Sequence, residues 1–302
     1  MISQDVESYL AVRRACGFEL ESQGFLLRSF AAFSDARGKR HICQETAIEW
    51  AGLTRSVPQR GHRLGEVIQF ARYMRAENPA HELPQAVFGS ARRPRPIPYI
   101  FSQDDIRRLV QAALESGYGS WRRQTHSTLF ALLACTGLRV SEAIKLRVED
   151  ITPDGLVIRC SKFRKSRLVP LHETAQAGIE RYLERRHVYA PFDDHVFVSS
   201  QGKPLRIRNV ERAFRIAVDK IGLPRGPGLP RPTPHSLRHT FAVRALETCP
   251  DGRDRITKHM VALSTYLGHS KVLHTYWYLE TTPDLMRKIA DRCENFFTGG
   301  RP

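Results

Sequence analysis

The sequence predicts a mostly α-helical protein with one small antiparallel β-sheet, divided into a helical N-terminal domain and a larger mixed α+β domain. Three observations carry that prediction. Apolar residues recur at helical spacing through most of the 302-residue chain. One stretch, residues 154–172, alternates apolar and polar residues instead, as paired strands do. A run of three prolines and three arginines between residues 89 and 101 can continue neither pattern.

Residues 1–88 read as a small all-helical domain. "VESYLAVRRACGF", "SQGFLLRSFAAFSDARG", "CQETAIEWAGL" and "GHRLGEVIQFARYMRAEN" each carry an apolar stripe, and Gly17, Gly24, Gly38 and the Pro58–Gly61 stretch punctuate them. "GSARRPRPIPYIF", residues 89–101, reads as an extended basic linker, with Arg92, Arg93 and Arg95 placed to meet a polyanion. The second domain, 102–302, opens at "SQDDIRRLVQAALESG", with Ser102 as N-cap and acids in the first turn. "THSTLFALLACTGLRVSEAIKL" gives an apolar helix, a break at Gly137 and a second helix. "DGLVIRCSKFRKSRLVPLH" gives a β-hairpin with a basic turn. Helices follow in "TAQAGIERYLERRH", "IRNVERAFRIAVDK", "PHSLRHTFAVRAL", "KHMVALSTYLG" and "DLMRKIADRCENFF". Neither an internal repeat nor a low-complexity segment interrupts this order.

Charge narrows the function. The chain holds 47 Lys and Arg against 31 Asp and Glu, a net charge of +16. Residues 1–90 are nearly balanced, 11 basic against 10 acidic, whereas residues 91–302 carry 36 against 21. Excess charge kept only for solubility does not segregate in this way; a polyanionic partner, most simply nucleic acid, accounts for it. Cys16, Cys43, Cys135, Cys160, Cys249 and Cys293 are scattered, without CxxC or Cys/His spacing. They read as reduced, structural thiols, with no metal site implied. No signal-peptide pattern opens the chain and no apolar run reaches the length of a membrane span, so a cytoplasmic protein is expected.

Four local patterns could carry chemistry. In "TPHSLRHTFAVRAL", Thr233 suits an N-cap and Pro234 the first helical position. His235 and Arg238, three residues apart, then share a helix face near its positive end, where a phosphate binds well. In "TGLRVSEAIKL", Glu142 lies three residues after Arg139, at a spacing that can hold a guanidinium in place. In "SKFRKSRLVPL", Lys162 ends one strand and Lys165 lies in the turn, with Arg164 and Arg167 beside them. In "LGHSKVLHTYWYLE", Gly268 suits a helix C-cap, His269 follows, Ser270 can cap the next helix, and Tyr276 and Tyr278 fall within it. Taken singly, each has an ordinary structural explanation: a solvated helix face, a helix ion pair, turn lysines, a packed aromatic cluster.

Taken in order, Arg139, Lys162, His235–Arg238, His269 and Tyr278 resemble the tyrosine recombinase (phage integrase) family over residues 100–285. The N-terminal domain resembles only in architecture the SAM-like core-binding domain of Xer and integrase-like members. "HTYWYLETTPDLM" is similar to recombinases of transposons and recombinase-trio elements. The resemblance implies a site-specific DNA recombinase acting on double-stranded DNA without metal, ATP or other cofactor. Tyr278 would attack a phosphodiester to give a 3′-phosphotyrosine. Arg139 and Arg238 would clamp the phosphoryl oxygens, and Lys162 would protonate the leaving 5′-oxygen. His235 would bind the phosphate or accept the tyrosine proton, His269 would donate to an oxygen, and Glu142 would position Arg139. Arg92, Arg93, Arg95, Arg164, Lys165 and Arg167 are expected to contact DNA.

Two positions depart from the pattern. Ser161 and Phe163 flank Lys162 where many relatives have glycine, which leaves Lys165 as a rival. Tyr276 is the rival nucleophile, two residues early; two helical residues turn a side chain through about 200°, so only one tyrosine can face the phosphate. Tyr276 and Trp277 are therefore expected to pack. Function is expected to need four protomers, identical or mixed with companion recombinases, with the C-terminal segment docking on a neighbour. A non-catalytic DNA-binding accessory protein and a type IB topoisomerase are the alternatives.

Overall fold

The computed structural model describes residues 1–89, 97–161, 165–190, 193–223, 226, 229–248, 253–269 and 272–278. Lys162, Arg164, Arg92, Arg93, Arg95, Ser270 and the segment "DLMRKIADRCENFF" lie outside them, and Lys165 is described in its backbone alone. The chain divides into two compact units, Met1–Arg95 and Pro96–Pro302.

The first unit is four helices: α1 (Ile2–Ala15), α2 (Glu21–Asp35), α3 (Gln44–Gly52) and α4 (Val57–Glu77). Trp50, Phe30, Phe70 and Leu10 fill its centre, with the Phe30 and Trp50 rings edge to face at 5.5 Å. An aromatic pair of this kind adds about 1 kcal/mol to the burial of its area. Asp35 at the end of α2 caps α1, accepting from the Ile2 amide at 3.0 Å. Two expected breaks are not breaks. Gly24 lies inside α2, on the face that meets Leu10 and Arg14 of α1 at ordinary contact distance. The Pro58–Gly61 stretch forms the first turn of α4, where proline lacks nothing a helix needs.

The second unit begins with α5 (Gln103–Leu114), whose start is fixed by a reciprocal cap between Ser102 and Asp105. α6 (Ser120–Thr136) runs through the core and α7 (Val140–Ile144) follows it after Gly137. Strands β1 (Ile151–Thr152), β2 (Gly155–Ser161) and β3 (Lys165–Val169) make one antiparallel sheet in sequence order. Leu156 pairs with Val169 and Ile158 with Arg167; the register then shifts, so that Ser161 pairs with Lys165. Lys165 therefore opens β3 rather than lying in the turn. α8 (Glu173–Tyr189), α9 (Ile207–Ile221), α10 (Pro234–Glu247), α11 (Arg253–Leu267) and the short α12 (Leu273–Tyr276) complete the described elements.

Leu129, Phe130 and Leu133 of α6, Phe214 of α9, Leu237 of α10, and Leu156 and Val169 of the sheet share one core. A smaller apolar cluster joins α10 to α11 through Val243, Leu246, Leu263 and Leu267, and takes in Tyr278. Phe101, at the end of the Pro/Arg stretch, is buried in the main core. Its amide donates to Thr240 Oγ1 at 3.0 Å and its carbonyl accepts from Arg244 Nη2 at 2.9 Å, which fastens the chain to α10. Cys16, Cys43 and Cys135 are free thiols. Among the described residues, no helix is long and apolar enough to cross a membrane.

Candidate active site

Gly137 builds the first edge of the site. It ends α6 with φ +62°, and an added Cβ would lie 2.6 Å from the Phe241 ring. Glycine alone satisfies both the left-handed backbone and the close approach. The turn delivers Arg139 to the start of α7, where Glu142 reaches back to accept from the Arg139 amide at 3.0 Å and from its Nη1 at 2.7 Å. The expected Arg139–Glu142 pairing is thus present in the geometry.

Glu142 is also held from the other side. Arg167 of β3 donates to it through Nη1 at 3.1 Å and Nη2 at 2.8 Å, and its Nε donates to the Tyr266 carbonyl at 2.8 Å. The Arg167 side chain is only 9% exposed. Arg167 was expected to contact DNA; here its donors meet Glu142 and α11 instead. The reason is strand geometry. Arg167 lies two residues before buried Val169, hence on the inner face, while Leu168 points outward. Burial works against the Glu142 carboxylate, but the Arg167 hydrogen bonds, the Arg139 amide and the charges of both guanidiniums outweigh it and hold its pKa down to about 2.

The reciprocal cap of Thr233 and Ser236 and Pro234 in the first turn fix the start of α10. Arg238, one turn in, is 1% exposed; its Nη1 donates to the Gly137 carbonyl at 2.7 Å and its Nη2 to the Leu267 carbonyl at 2.6 Å. Burial and then the neighbouring Arg139 charge lower its pKa to about 10, so it remains a cation at neutral pH. Arg139 Nη2 completes the set by donating to the Gly268 carbonyl at 3.2 Å. Arg167, Arg238 and Arg139 thus hold three successive carbonyls, Tyr266, Leu267 and Gly268, at the negative end of α11. Gly268, at φ +65°, must lack a side chain here because a Cβ would lie 2.8 Å from Arg167 Nη1.

Immediately beyond Gly268, His269 Nδ1 meets the Thr275 hydroxyl at 2.8 Å. When that hydroxyl donates, the ring proton is on Nε2, leaving a donor for an anion. Burial, then Arg238 and Arg139, press His269 down to about 3. His235 lies at the solvent edge at the start of α10, yet the atoms packed around its ring shield it from water; that desolvation, then Arg238 and Arg139, lowers its pKa to about 4. The site therefore sets three guanidiniums against one carboxylate among neutral imidazoles, a field that attracts a phosphodiester and gains strength as a second negative charge develops.

Tyr278 is 3% exposed and stacks on His269 with ring centroids 6.1 Å apart; Tyr276 is 49% exposed on α12. The expected separation of the two tyrosines is present, but Tyr276 does not pack. Trp277 is partly buried against the small cluster that includes Tyr278. Two neighbours of the site were not foreseen: Thr275, whose hydroxyl meets His269 Nδ1, and His239, whose ring lies 4.5 Å from His235 and 5.5 Å from Tyr278, centroid to centroid. His239 was visible in principle, since it lies four residues after His235 on one helix face. Among the described residues one group, Asp193, Asp194 and His195, has metal-ligand spacing, but Asp194 pairs with Arg147 and Asp193 Oδ1 with His195 at 3.0 Å.

Known proteins resemble the chain in sequence and in fold. The sequence pattern of the phage integrase family matches residues 100–284. The chain is 36% identical over 302 residues to "Putative integrase/recombinase y4rB" of Sinorhizobium fredii, covering 96% of each protein. It is 27% identical over 279 residues to the tyrosine recombinase XerC of Pelobacter propionicus, covering 88% of this chain and 85% of that protein. In fold it is similar to the XerH recombinase in a post-cleavage complex (TM-score 0.66, 17% identity, covering 91% and 80% of the two chains). It is also similar to the Tn1549 transposon integrase in complex with transposon right end DNA (TM-score 0.67, 17% identity, 96% and 98%). The chain belongs to the phage integrase family of tyrosine recombinases and is a DNA breaking and rejoining enzyme.

Proposed function

We infer that this site-specific recombinase cleaves duplex DNA through a covalent 3′-phosphotyrosine on Tyr278. The observation that carries this reading is the gathering of Arg139, Arg238, His269 and Tyr278 around the end of α11, with Glu142 and Arg167 fixing Arg139. In the reaction, the phenolic oxygen attacks phosphorus in line with the 5′-oxygen. Arg139 and Arg238 exchange carbonyls for phosphoryl oxygens, to which they bind more strongly because both partners are charged. His269 donates through Nε2, and His235, at the solvent edge, meets the phosphate. Lys162 is the expected proton donor to the leaving oxygen. The covalent bond stores the energy of the broken phosphodiester, so religation by a partner strand needs no ATP, and no step calls for a metal or other cofactor.

The first unit would serve as a core-binding domain on the same duplex, with Arg92, Arg93 and Arg95 on the connecting segment and Arg164 and Lys165 of the hairpin meeting phosphates. Strand exchange joins two duplexes, which argues for four protomers, identical or mixed with companion recombinases. The segment 286–302 is the proposed docking element between them: its deletion should leave DNA binding but impair synapsis, and unchanged strand exchange would refute that.

A nicked suicide duplex, selected from a randomised library for binding to the full chain, tests the chemistry. The wild type and Tyr276→Phe should accumulate a covalent adduct stable to denaturant, and Tyr278→Phe should bind the duplex without one. An adduct that persists in Tyr278→Phe overturns the assignment.

A further inference from the structure

His239 is a half-buried histidine without an assigned task. It lies on α10 between the two residues that the reaction brings together. Its ring stands edge-on to His235 at 4.5 Å, tilted against Tyr278 at 5.5 Å and edge-on to Trp277 at 5.1 Å. Its Nδ1 is buried and has no hydrogen-bond partner. Leaving such an atom unpaired costs on the order of 1–3 kcal/mol, and a cost of that size within an active site calls for a state in which the atom is paired. The His269 ring also stacks on Tyr278, but its Nδ1 is already engaged by Thr275.

We propose that His239 is the proton acceptor for the Tyr278 hydroxyl, leaving His235 to the phosphate. The proposal rests on the recombinase chemistry inferred above and resolves an ambiguity in it, since His235 was a candidate for both tasks. In the Nε2–H form the neutral ring presents its lone pair at Nδ1. As Tyr278 Oη bonds to phosphorus and the bond from phosphorus to the 5′-oxygen breaks, the phenolic proton passes to His239 Nδ1. The leaving oxygen takes its own proton from the general acid, and religation returns both.

The surroundings fit an acceptor. Burial, then His235 and Arg238 on the same helix, press His239 down to about 3, so the ring is neutral across the physiological range. Facing it from beyond α12 are Tyr278 and the uncharged Trp277. A phosphate arriving at Arg238 brings negative charge that opposes the effect of the guanidiniums and makes the imidazolium easier to form as the proton moves.

The test uses the full chain and the selected suicide duplex, with a sulfur atom replacing the bridging 5′-oxygen at the scissile phosphate. Thiolate leaves without a proton donor, so the rate of adduct formation reports on the nucleophile side alone. His239→Phe keeps the ring and removes the acceptor; His239→Asn keeps a hydrogen-bond acceptor near the δ position but cannot take a proton. Both should bind the duplex with near wild-type affinity and form adduct about a hundredfold more slowly or worse, as loss of a general base does. Their rates should then climb about tenfold per pH unit as hydroxide takes over, whereas the wild-type rate stays flat above pH 7. A wild-type rate in His239→Phe assigns the ring to packing and overturns the proposal. A wild-type rate in His239→Asn reduces the role to orientation and overturns it equally. Should either variant fail to bind DNA, the wild-type profile decides: a tenfold climb per pH unit from 7 to 9 rules out a protein base. Absence of any adduct in the wild type overturns the recombinase chemistry as well, so the two failures are distinguishable.

Discussion

Arg167→Ala separates two tasks that one side chain on a basic hairpin can have. A guanidinium contacting DNA can be removed at little cost to folding; binding weakens, and the slope of log affinity against log salt falls by about 1. A guanidinium holding Glu142 behaves otherwise. The substitution removes hydrogen bonds of 2.8, 2.8 and 3.1 Å at a side chain that is 9% exposed, and leaves the Tyr266 carbonyl and half of the Glu142 donors unreplaced. Breaking a buried ion pair from one side costs about 3–5 kcal/mol. Arg139 still faces Glu142, which favours the lower end, about 3 kcal/mol. For a unit of this size that is about 6–12 °C in the melting transition. Calorimetry of the full chain, together with DNA binding across a salt series, measures both quantities. The geometry predicts a large loss of thermal stability, an unchanged salt slope, and slower adduct formation because Arg139 loses its fixed carboxylate. Arg167→Lys, which keeps the charge but loses the fork, should fall between. An unchanged melting transition with a salt slope reduced by about 1 would refute the reasoning and restore Arg167 to the DNA surface.

Three further outcomes follow. Gly137→Ala meets a positive φ and the Phe241 ring at 2.6 Å, whereas Gly222→Ala meets a positive φ and open space; urea unfolding should show a loss of about 2–4 kcal/mol for the first against about 1 for the second, and equal losses would contradict the clash. Tetranitromethane without DNA should nitrate Tyr276 well before Tyr278, given their exposures of 49% and 3%; peptide mapping that finds Tyr278 first would remove the buried nucleophile. Acid should destabilise the second unit in two stages. His239 and His269 are held neutral in the fold, so the unfolded chain binds more protons and stability falls from about pH 6.5 toward 3; Glu142, held at about 2, loses its contribution from about 4.5 downward. A urea midpoint that stays constant between pH 7.5 and 5 would contradict the first stage.

Much of this was legible in the sequence because it is local. Gly137 between an apolar helix and Arg139, Glu142 three residues on, the Thr233–Pro234 helix start and the alternating hairpin each act over a few residues, and spacing reveals them. What the sequence did not reveal depends on contacts across the fold. Arg167 looked like a turn-side cation because its partner, Glu142, lies 25 residues earlier. Only its phase relative to Val169 marked the inner face. Gly24 looked like a break, but it lies within α2 where that helix packs against α1. Tyr276 was assigned to packing because only one of the two tyrosines can face the phosphate, yet α12 turns it to solvent. The contacts of Thr275 with His269 and of His239 with Tyr278 arise only where α10, α11 and α12 meet.

The identity of the residue bonded to DNA tests the central claim most directly. The adduct trapped by the wild type on the suicide duplex can be digested with nuclease and protease, and the nucleotide-bearing peptide fragmented by mass spectrometry. Tyr276 and Tyr278 lie in one peptide, and the fragment series separates them. A 3′-linked nucleotide on Tyr278 is the predicted result; its attachment to Tyr276, to any other residue, or to none contradicts the account.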